Sequence, residues 1–373
     1  MTNHKTLHIV SFDVPYPPNY GGVIDVYYKL KNLAELGVHI YLHTYEYGRG
    51  EQKELETYCK KVFYYPRSNA VKNFLSRIPF IVKTRSSETL LKNLSKDMHP
   101  ILFEGLHTTY PLIKGGFDNR KILVRTHNIE HEYYKGLQKS EVSKRKKIFF
   151  ETEAKKLKKY EDILQKADHI LSISPFEQSY FQKKYGAKAN YIPAFFCHKR
   201  NVSKSPSNKF TLWHGDLRIS DNCKAALFTI AVFSKLKHKL VLASSFETEE
   251  IAKEVEKHDH ITFDNLQREG QLDHLLQTAH IHSMVTYQKT GIKLKLLNAL
   301  YKGKFVIGNT KILEDTGLEE ACCLANTKEE FRKHIETLLL KDFEEEDLAL
   351  RTRVLEKFNP IESAKKITAL LSF

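Results

Sequence analysis

The segment HSMVTYQKTGIKLKLLNALYKGKFVIGN carries a glycine, a cation and an amide at Gly291, Lys295 and Asn298, spaced by four and three residues. On a helix that spacing puts them on one face. Ile292, Leu296, Ala299 and Leu300 form the opposite, buried face. Free amides at the start of such a helix, with a lysine beside them, suit an anion of the diphosphate kind; the plain alternative is a solvated lysine face. A second glycine turn, PYPPNYGGVIDVYYKL, sets Gly21 and Gly22 ahead of another helix. It serves either a phosphate or a tight turn that needs positive φ. His127 follows the β-branched run Ile122–Thr126, and Glu104, His107, Glu130 and His131 stand at or near neighbouring strand ends, where they bind a second substrate or fill the rim. No Ser/His/Asp or Cys/His arrangement and no zinc spacing stands out, which disfavours hydrolase and metalloenzyme chemistry.

The elements that must position these residues alternate. A β-branched run at His8–Val14 leads through the glycine pair into an apolar-periodic stretch, Val23–Leu36, that Gly37 closes. Val38–Thr44, Ile101–Glu104, Ile122–Thr126 and His169–Ser174 repeat the strand pattern, and repeated βα units imply a parallel, doubly wound sheet. Phe150, Ala154, Leu157, Tyr160, Leu164 and Ala167 recur every three or four residues, predicting one helix over Ser140–Ala167, roughly 40 Å long. A polar stretch, His198–Asn208, reads as a linker. Beyond it FTLWHG, KLVLAS, HITF, HIHSMV and KFVIG alternate with helical segments, giving a second α/β sheet, and Pro360–Leu371 predicts a terminal helix.

At 373 residues the chain is long enough for two domains. With 41% hydrophobic and 28% charged residues it reads as globular. The excess of 59 basic over 45 acidic side chains favours anionic partners, which include sugar nucleotides, anionic lipids and nucleic acid. Five scattered cysteines without a CxxC pair argue against a disulfide framework and for a reducing compartment. Neither a signal peptide nor a run of ~18 apolar residues is evident, so a cytoplasmic protein is expected.

The stretch GIKLKLLNALYKGKFVI resembles the donor-site signature of retaining GT-B glycosyltransferases of family 4, where two glutamates bracket a glycine-led helix. Aligned on Gly291, those positions hold Thr290 and Asn298, which still bond hydroxyls but accept less strongly than carboxylates. In the family the first contacts the transferred sugar and the second the ribose. PYPPNYGG, RTHNIEH, ISPF and FTLWHGDLRISDN fall in the family's order, so the likeness spans nearly the whole chain.

The resemblance implies an α/β GT-B fold: two Rossmann-like domains facing each other across a cleft, with the C-terminal helix packing back on the first. The acceptor domain would be residues 1–197 with 358–373, and the donor domain 208–357. It implies that His127 reaches toward the donor sugar, and with it Gly21, Gly22, Gly215, Arg218, Thr290, Gly291, Lys295 and Asn298 are expected to bind the donor, while Glu104, His107, Glu130 and His131, from their places near strand ends, either serve the acceptor or fill the rim. Arg218 and Lys224 stand at altered spacing from the family's diphosphate pair, which leaves Lys295 as the better source of charge. Transfer of a hexose from a UDP- or GDP-linked sugar to a glycan or lipid-linked glycan, with retention and without metal or cofactor, is the expected activity. The alternative is a catalytically silent GT-B-like binding protein, because both glutamates are missing.

Lys144, Arg145, Lys146, Lys147, Lys155, Lys156, Lys158 and Lys159 crowd one predicted helix. In VKNFLSRIPFIVKTR, the residues Phe74, Leu75, Ile78, Phe80 and Ile81 interleave with Lys72, Arg77, Lys83 and Arg85 in the manner of an interfacial anchor. Either an anionic inner-leaflet surface or ordinary packing with snorkelling lysines follows. Nucleic acid is disfavoured, since no stacking aromatics are interleaved and no recognition module is present.

Overall fold

The computed structural model describes residues 5–19, 21–68, 71–197, 209–268, 270–288 and 294–372. Thr290 and Gly291 lie outside them, as does the 198–208 linker. The described chain forms two compact units, residues 5–197 with 358–372 and residues 209–288 with 294–357.

In the first unit β1 (Thr6–Ser11), β2 (His39–Glu46), β3 (Lys61–Pro66), β4 (Ile101–Glu104), β5 (Ile122–Thr126), β6 (His169–Ser172) and β7 (Ala189–Tyr191) form a parallel sheet in the order β3-β2-β1-β4-β5-β6-β7. Every residue of β1, β4 and β5 is buried, as strands covered on both faces require. The helix Gly21–Glu35 buries Val23, Val26, Leu30 and Leu33 at helical spacing, and Gly37 leaves it at φ +78°, a left-handed position suited to glycine. The terminal helix Pro360–Leu370 begins with proline and is capped by Asn359, whose side chain accepts from the Ile361 amide at 2.9 Å. Its Ala364, Ile367 and the following Leu371 join the core formed by Val23, Leu30, Leu42 and Leu102.

The second unit repeats the plan with β8 (Thr211–His214), β9 (Leu240–Ser244), β10 (Ile261–Asn265), β11 (Ile281–Met284), β12 (Phe305–Gly308) and β13 (Cys323–Leu324), ordered β10-β9-β8-β11-β12-β13 and again parallel. In both sheets the strand order reverses beside the first strand, and ligands of doubly wound folds bind at the carboxyl ends there.

Three expectations change. The helix expected over Ser140–Ala167 is shorter: it spans Lys144–Tyr160 and gives way to a 3-10 turn, Glu161–Lys166, while a separate helix, Glu130–Ser140, ends where it was expected to begin. The break comes where the Glu141 carboxylate takes the amides of Val142 and Ser143 at 2.9 and 3.0 Å, satisfying them outside a helical ladder. Gly21 and Gly22 open a helix and neither has positive φ. Gly22 is required by space instead, since a Cβ there would lie 2.5 Å from Phe12 Cζ. Arg85 and Ile81 do not belong to a surface anchor: both are buried, and the Arg85 guanidinium donates at 2.8 Å to the carbonyls of Phe12 and Ile81. The edge strands β3, β7 and β13 go beyond the sequence reading: β7 and β13 span only three and two residues, while β3, KVFYYP, has the β-branched and aromatic run of a strand.

Candidate functional site

In the first unit, β1, β4 and β5 deliver Phe12, Glu104 and His127 to neighbouring carboxyl ends beside the topological switch. Glu104 is fully buried and accepts from Lys29 Nζ at 2.7 Å through one oxygen and pairs with His127 Nε2 at 3.1 Å through the other. Lys29 also donates to Asp25 at 2.9 Å, and Asp25 in turn receives Arg125 Nη2 at 2.9 Å and the Phe195 amide at 2.8 Å. Burial alone would raise both carboxyls. For Asp25 it is outweighed by Arg125, then Lys29, and for Glu104 by Lys29 and then His127, so both are held below the usual carboxylate range. Two carboxylates thus face the Lys29 amino group and the Arg125 guanidinium.

An ionised Glu104 fixes the His127 ring with Nε2 protonated. The ring's other nitrogen, Nδ1, is buried and has no hydrogen-bond partner. The Phe12 ring packs edge-on against His127 at 5.4 Å and against His107 at 5.3 Å. His107 Nδ1 is likewise buried and unpartnered, and burial, followed by Arg85, keeps that imidazole neutral by pushing its pKa well down. Gly105, at φ +72°, allows this ring its place, because a Cβ there would sit 2.7 Å from His107 Nδ1. Hydroxyl-rich ligands match two such unpartnered ring nitrogens.

Asp25, Glu104 and His127 also approach metal spacing, with ligand atoms within 4.8 Å of one another. The donor set does not fit a cation: Lys29 and Arg125 already occupy the Asp25 oxygens, and Lys29 and His127 those of Glu104. A divalent ion would have to enter beside a buried ammonium.

Glu130 and His131 belong to a different neighbourhood. Glu130 is buried, and burial pushes its carboxyl up to about 7 against the opposing pull of the Asn128 amide and Arg85. His131 lies 3.3 Å from Glu161, which also holds Lys184 at 2.7 Å and the Tyr180 hydroxyl at 2.8 Å. Of the acceptor candidates, Glu104 and His107 therefore gather around His127, whereas Glu130 and His131 sit in a buried acidic cluster with Glu161 and Glu177.

In the second unit the β8 loop and the helix Leu294–Lys302 meet at the equivalent end of the sheet. Lys295 and Asn298 share the less buried side of that helix, while Leu296, Ala299 and Leu300 are buried. Lys295 Nζ donates to Asn222 Oδ1 at 3.0 Å and stands 6.0 Å from the Trp213 ring. Among the described residues no carboxylate pairs with it. Desolvation, only partly offset by Asp221, lowers it to about 8. Asp221 is spent elsewhere, accepting from the Thr286 hydroxyl at 3.1 Å and the Tyr287 amide at 3.2 Å, which ties the β8 and β11 loops together. His214, at the end of β8, is held neutral at about 3 by burial and then by Lys295, and its Nδ1 is unpartnered.

Gly215 is demanded by packing, since a Cβ would lie 3.0 Å from Trp213 Cη2 and 3.4 Å from Asn222 Cγ. Arg218 is exposed and gripped by Asp216 through both carboxylate oxygens, at 2.9 and 2.8 Å, so an incoming phosphate must compete for it. Lys224 is exposed.

The sequence reading missed Asp25, Lys29, Arg125 and His214. A signal existed for the first three: Asp25 and Lys29 interrupt an apolar helical stripe four residues apart, and Arg125 sits inside the strand ILVRT. Charges at positions destined for burial must be paired.

No family model matches the chain. A Klebsiella pneumoniae protein named "uncharacterized 44.6 kDa protein in cps region" is 28% identical over 349 residues, covering 88% of this chain and 89% of that one. Sucrose-phosphate synthase from Thermosynechococcus elongatus superposes with a TM-score of 0.72 at 16% identity, covering 99% of this chain and 98% of its own. HepE of Anabaena, solved in complex with UDP and glucose, gives 0.67 at 12%, covering 99% and 100%. The chain has the GT-B fold. In GT-B terms the first unit is the N-terminal Rossmann-like domain, completed by the terminal helix, and the second is the C-terminal one.

Proposed function

We infer that this GT-B protein is a family 4-like hexosyltransferase that uses a UDP- or GDP-linked sugar and adds the hexose, with retention, to a glycan or lipid-linked glycan of a surface polysaccharide. The observation that carries the reading is Lys295: a largely desolvated cation, short of a carboxylate partner among the described residues, at the carboxyl end of the second sheet. An anion arriving there restores what desolvation costs the ammonium, so a leaving diphosphate is stabilised as it develops charge. Asn222 orients the lysine, and Asn298, one turn along, is placed to bond a hydroxyl. His127 Nδ1 accepts a sugar O–H, with Glu104 and Lys29 fixing the ring. Chemistry without a metal accords with the cationic filling of the one carboxylate–histidine cluster of metal spacing among the described residues. The relative from a cps region and the UDP-bound neighbour support the substrate class, and such a protein works in the cytoplasm.

Thermal shift against UDP, GDP, their sugars and a DNA oligomer tests this. One nucleotide diphosphate is expected to stabilise the protein, and Lys295→Ala to remove that shift. An unchanged shift in the variant moves the diphosphate site elsewhere. A second reading, a silent binding protein, draws on Thr290 and Asn298 standing where the resembled motif has glutamates. Donor hydrolysis or transfer by the purified protein rules it out; nucleotide binding without either establishes it.

A further inference from the structure

On the first unit an open cavity of about 800 Å³ is framed by Leu75, Ile78, Ile113 and Ile163 together with Arg77 and Lys159. Its apolar rim is unusually bare. Leu75 is 90% exposed, Phe74 and Ile113 are partly exposed, and on the adjoining helix Ile148 is 66% exposed. Isolated exposed apolar side chains need no explanation, but several aliphatic ones around one cavity mark a surface that meets something apolar.

The charge around that rim has one sign. The helix Lys144–Tyr160 carries eight basic residues against Glu151 and Glu153. Glu153 faces inward, where it holds Lys156 at 2.8 Å and the Phe80 amide, and Lys156 also donates to the Phe74 carbonyl at 3.1 Å. Those bonds fasten the Phe74–Leu75 tip to the basic helix and give it a fixed height above the lysines. Arg77, Lys144, Arg145, Lys158 and Lys159 enter no ion pair among the described residues. Aliphatic tips flanked by unpaired cations are what the boundary between an acyl layer and anionic headgroups selects.

We propose that this face docks on an anionic phospholipid bilayer, with Leu75 and Ile148 entering the acyl boundary and Arg77, Lys158 and Lys159 meeting lipid phosphates. A nucleic acid is a poorer fit, since Phe74 already stacks on Phe80 at 4.3 Å and meets Phe149 edge-on, and the cavity's lining tyrosine, Tyr160, is tied by its hydroxyl to Thr109 at 2.9 Å, leaving no free ring for a base. A second copy of the chain would bring like charge against like. The inference deepens the reading of a lipid-linked acceptor, yet its test needs neither donor nor turnover.

The whole protein is floated with vesicles of phosphatidylcholine alone and of phosphatidylcholine mixed with phosphatidylglycerol, at low and high salt. It is expected to float with the mixed vesicles only, and less at high salt. Leu75→Glu is expected to lower partitioning at least tenfold, and Arg77→Glu with Lys159→Glu to abolish the dependence on phosphatidylglycerol. Both variants should keep the nucleotide thermal shift, which separates failure of this surface from failure of the Lys295 site. The proposal is overturned if the mixed vesicles bind no protein at low salt, if Leu75→Glu floats like the parent, or if a DNA oligomer displaces the vesicles.

Discussion

Glu104 owes its ionised state to Lys29, and His127 owes its orientation to Glu104, so the side chain nearest the proposed chemistry is held by groups that need not touch substrate. His127→Ala removes the acceptor without disturbing Lys295. Glycosyl transfer should then fall about a hundredfold in kcat while the nucleotide thermal shift persists; retained turnover would show that Nδ1 takes no part. Glu130 shows what burial does without such partners. Its folded pKa of about 7 lies above the ordinary 4.5, so the protonated form is favoured by folding. That contribution is complete below pH 4.5 and is lost as the pH rises through 7. Glu130→Gln, a permanent mimic of the neutral acid, should therefore stabilise the protein at pH 8 relative to its effect at pH 4, by about 3 kcal/mol. Urea midpoints at the two values measure it, and an equal effect at both would mean that the buried carboxyl ionises freely.

Strand ends and helix starts bring these residues together, and glycine decides how closely. Gly22 at the head of the helix Gly21–Glu35 leaves room for Phe12, which in turn touches both His107 and His127. Gly22→Ala forces that ring away, and with His107 and His127 already against it the move should cost about 1–3 kcal/mol and lower activity as well. Adding Phe12→Ala should recover part of the stability but not the activity, which differential unfolding and an assay of the pair distinguish. Element types and order were legible because apolar runs and helical periods are long in both halves. The helix start at Lys144 was not, since the apolar period begins only at Phe150 and the boundary is set by a local carboxylate, Glu141, that captures the amides of Val142 and Ser143.

At the scale of the molecule, each unit owns a core, and the first is closed by the last residues of the chain. Deleting residues 358–373 uncovers the apolar face that Ala364, Ile367 and Leu371 seal. The loss should be about 5 kcal/mol from the buried aliphatic surface, read as a lower urea midpoint, whereas an unchanged midpoint would make the helix dispensable. The two sheets share a strand order, and in both a buried, unpartnered histidine nitrogen lies at a carboxyl end beside the switch, His127 in one and His214 in the other.

Sequence alone determined the fold class, the alternation of elements and the side of the Leu294–Lys302 helix that bears Lys295 and Asn298, because periodicity and glycine placement are local properties. Tertiary structure decided which charges neutralise one another. Asp25 and Arg125 lie a hundred positions apart, and whether a buried ion is paired depends on strands that meet only in the folded sheet. It also decided that Arg218 is engaged by Asp216 while Lys295 lacks a carboxylate among the described residues, a difference no spacing rule contains.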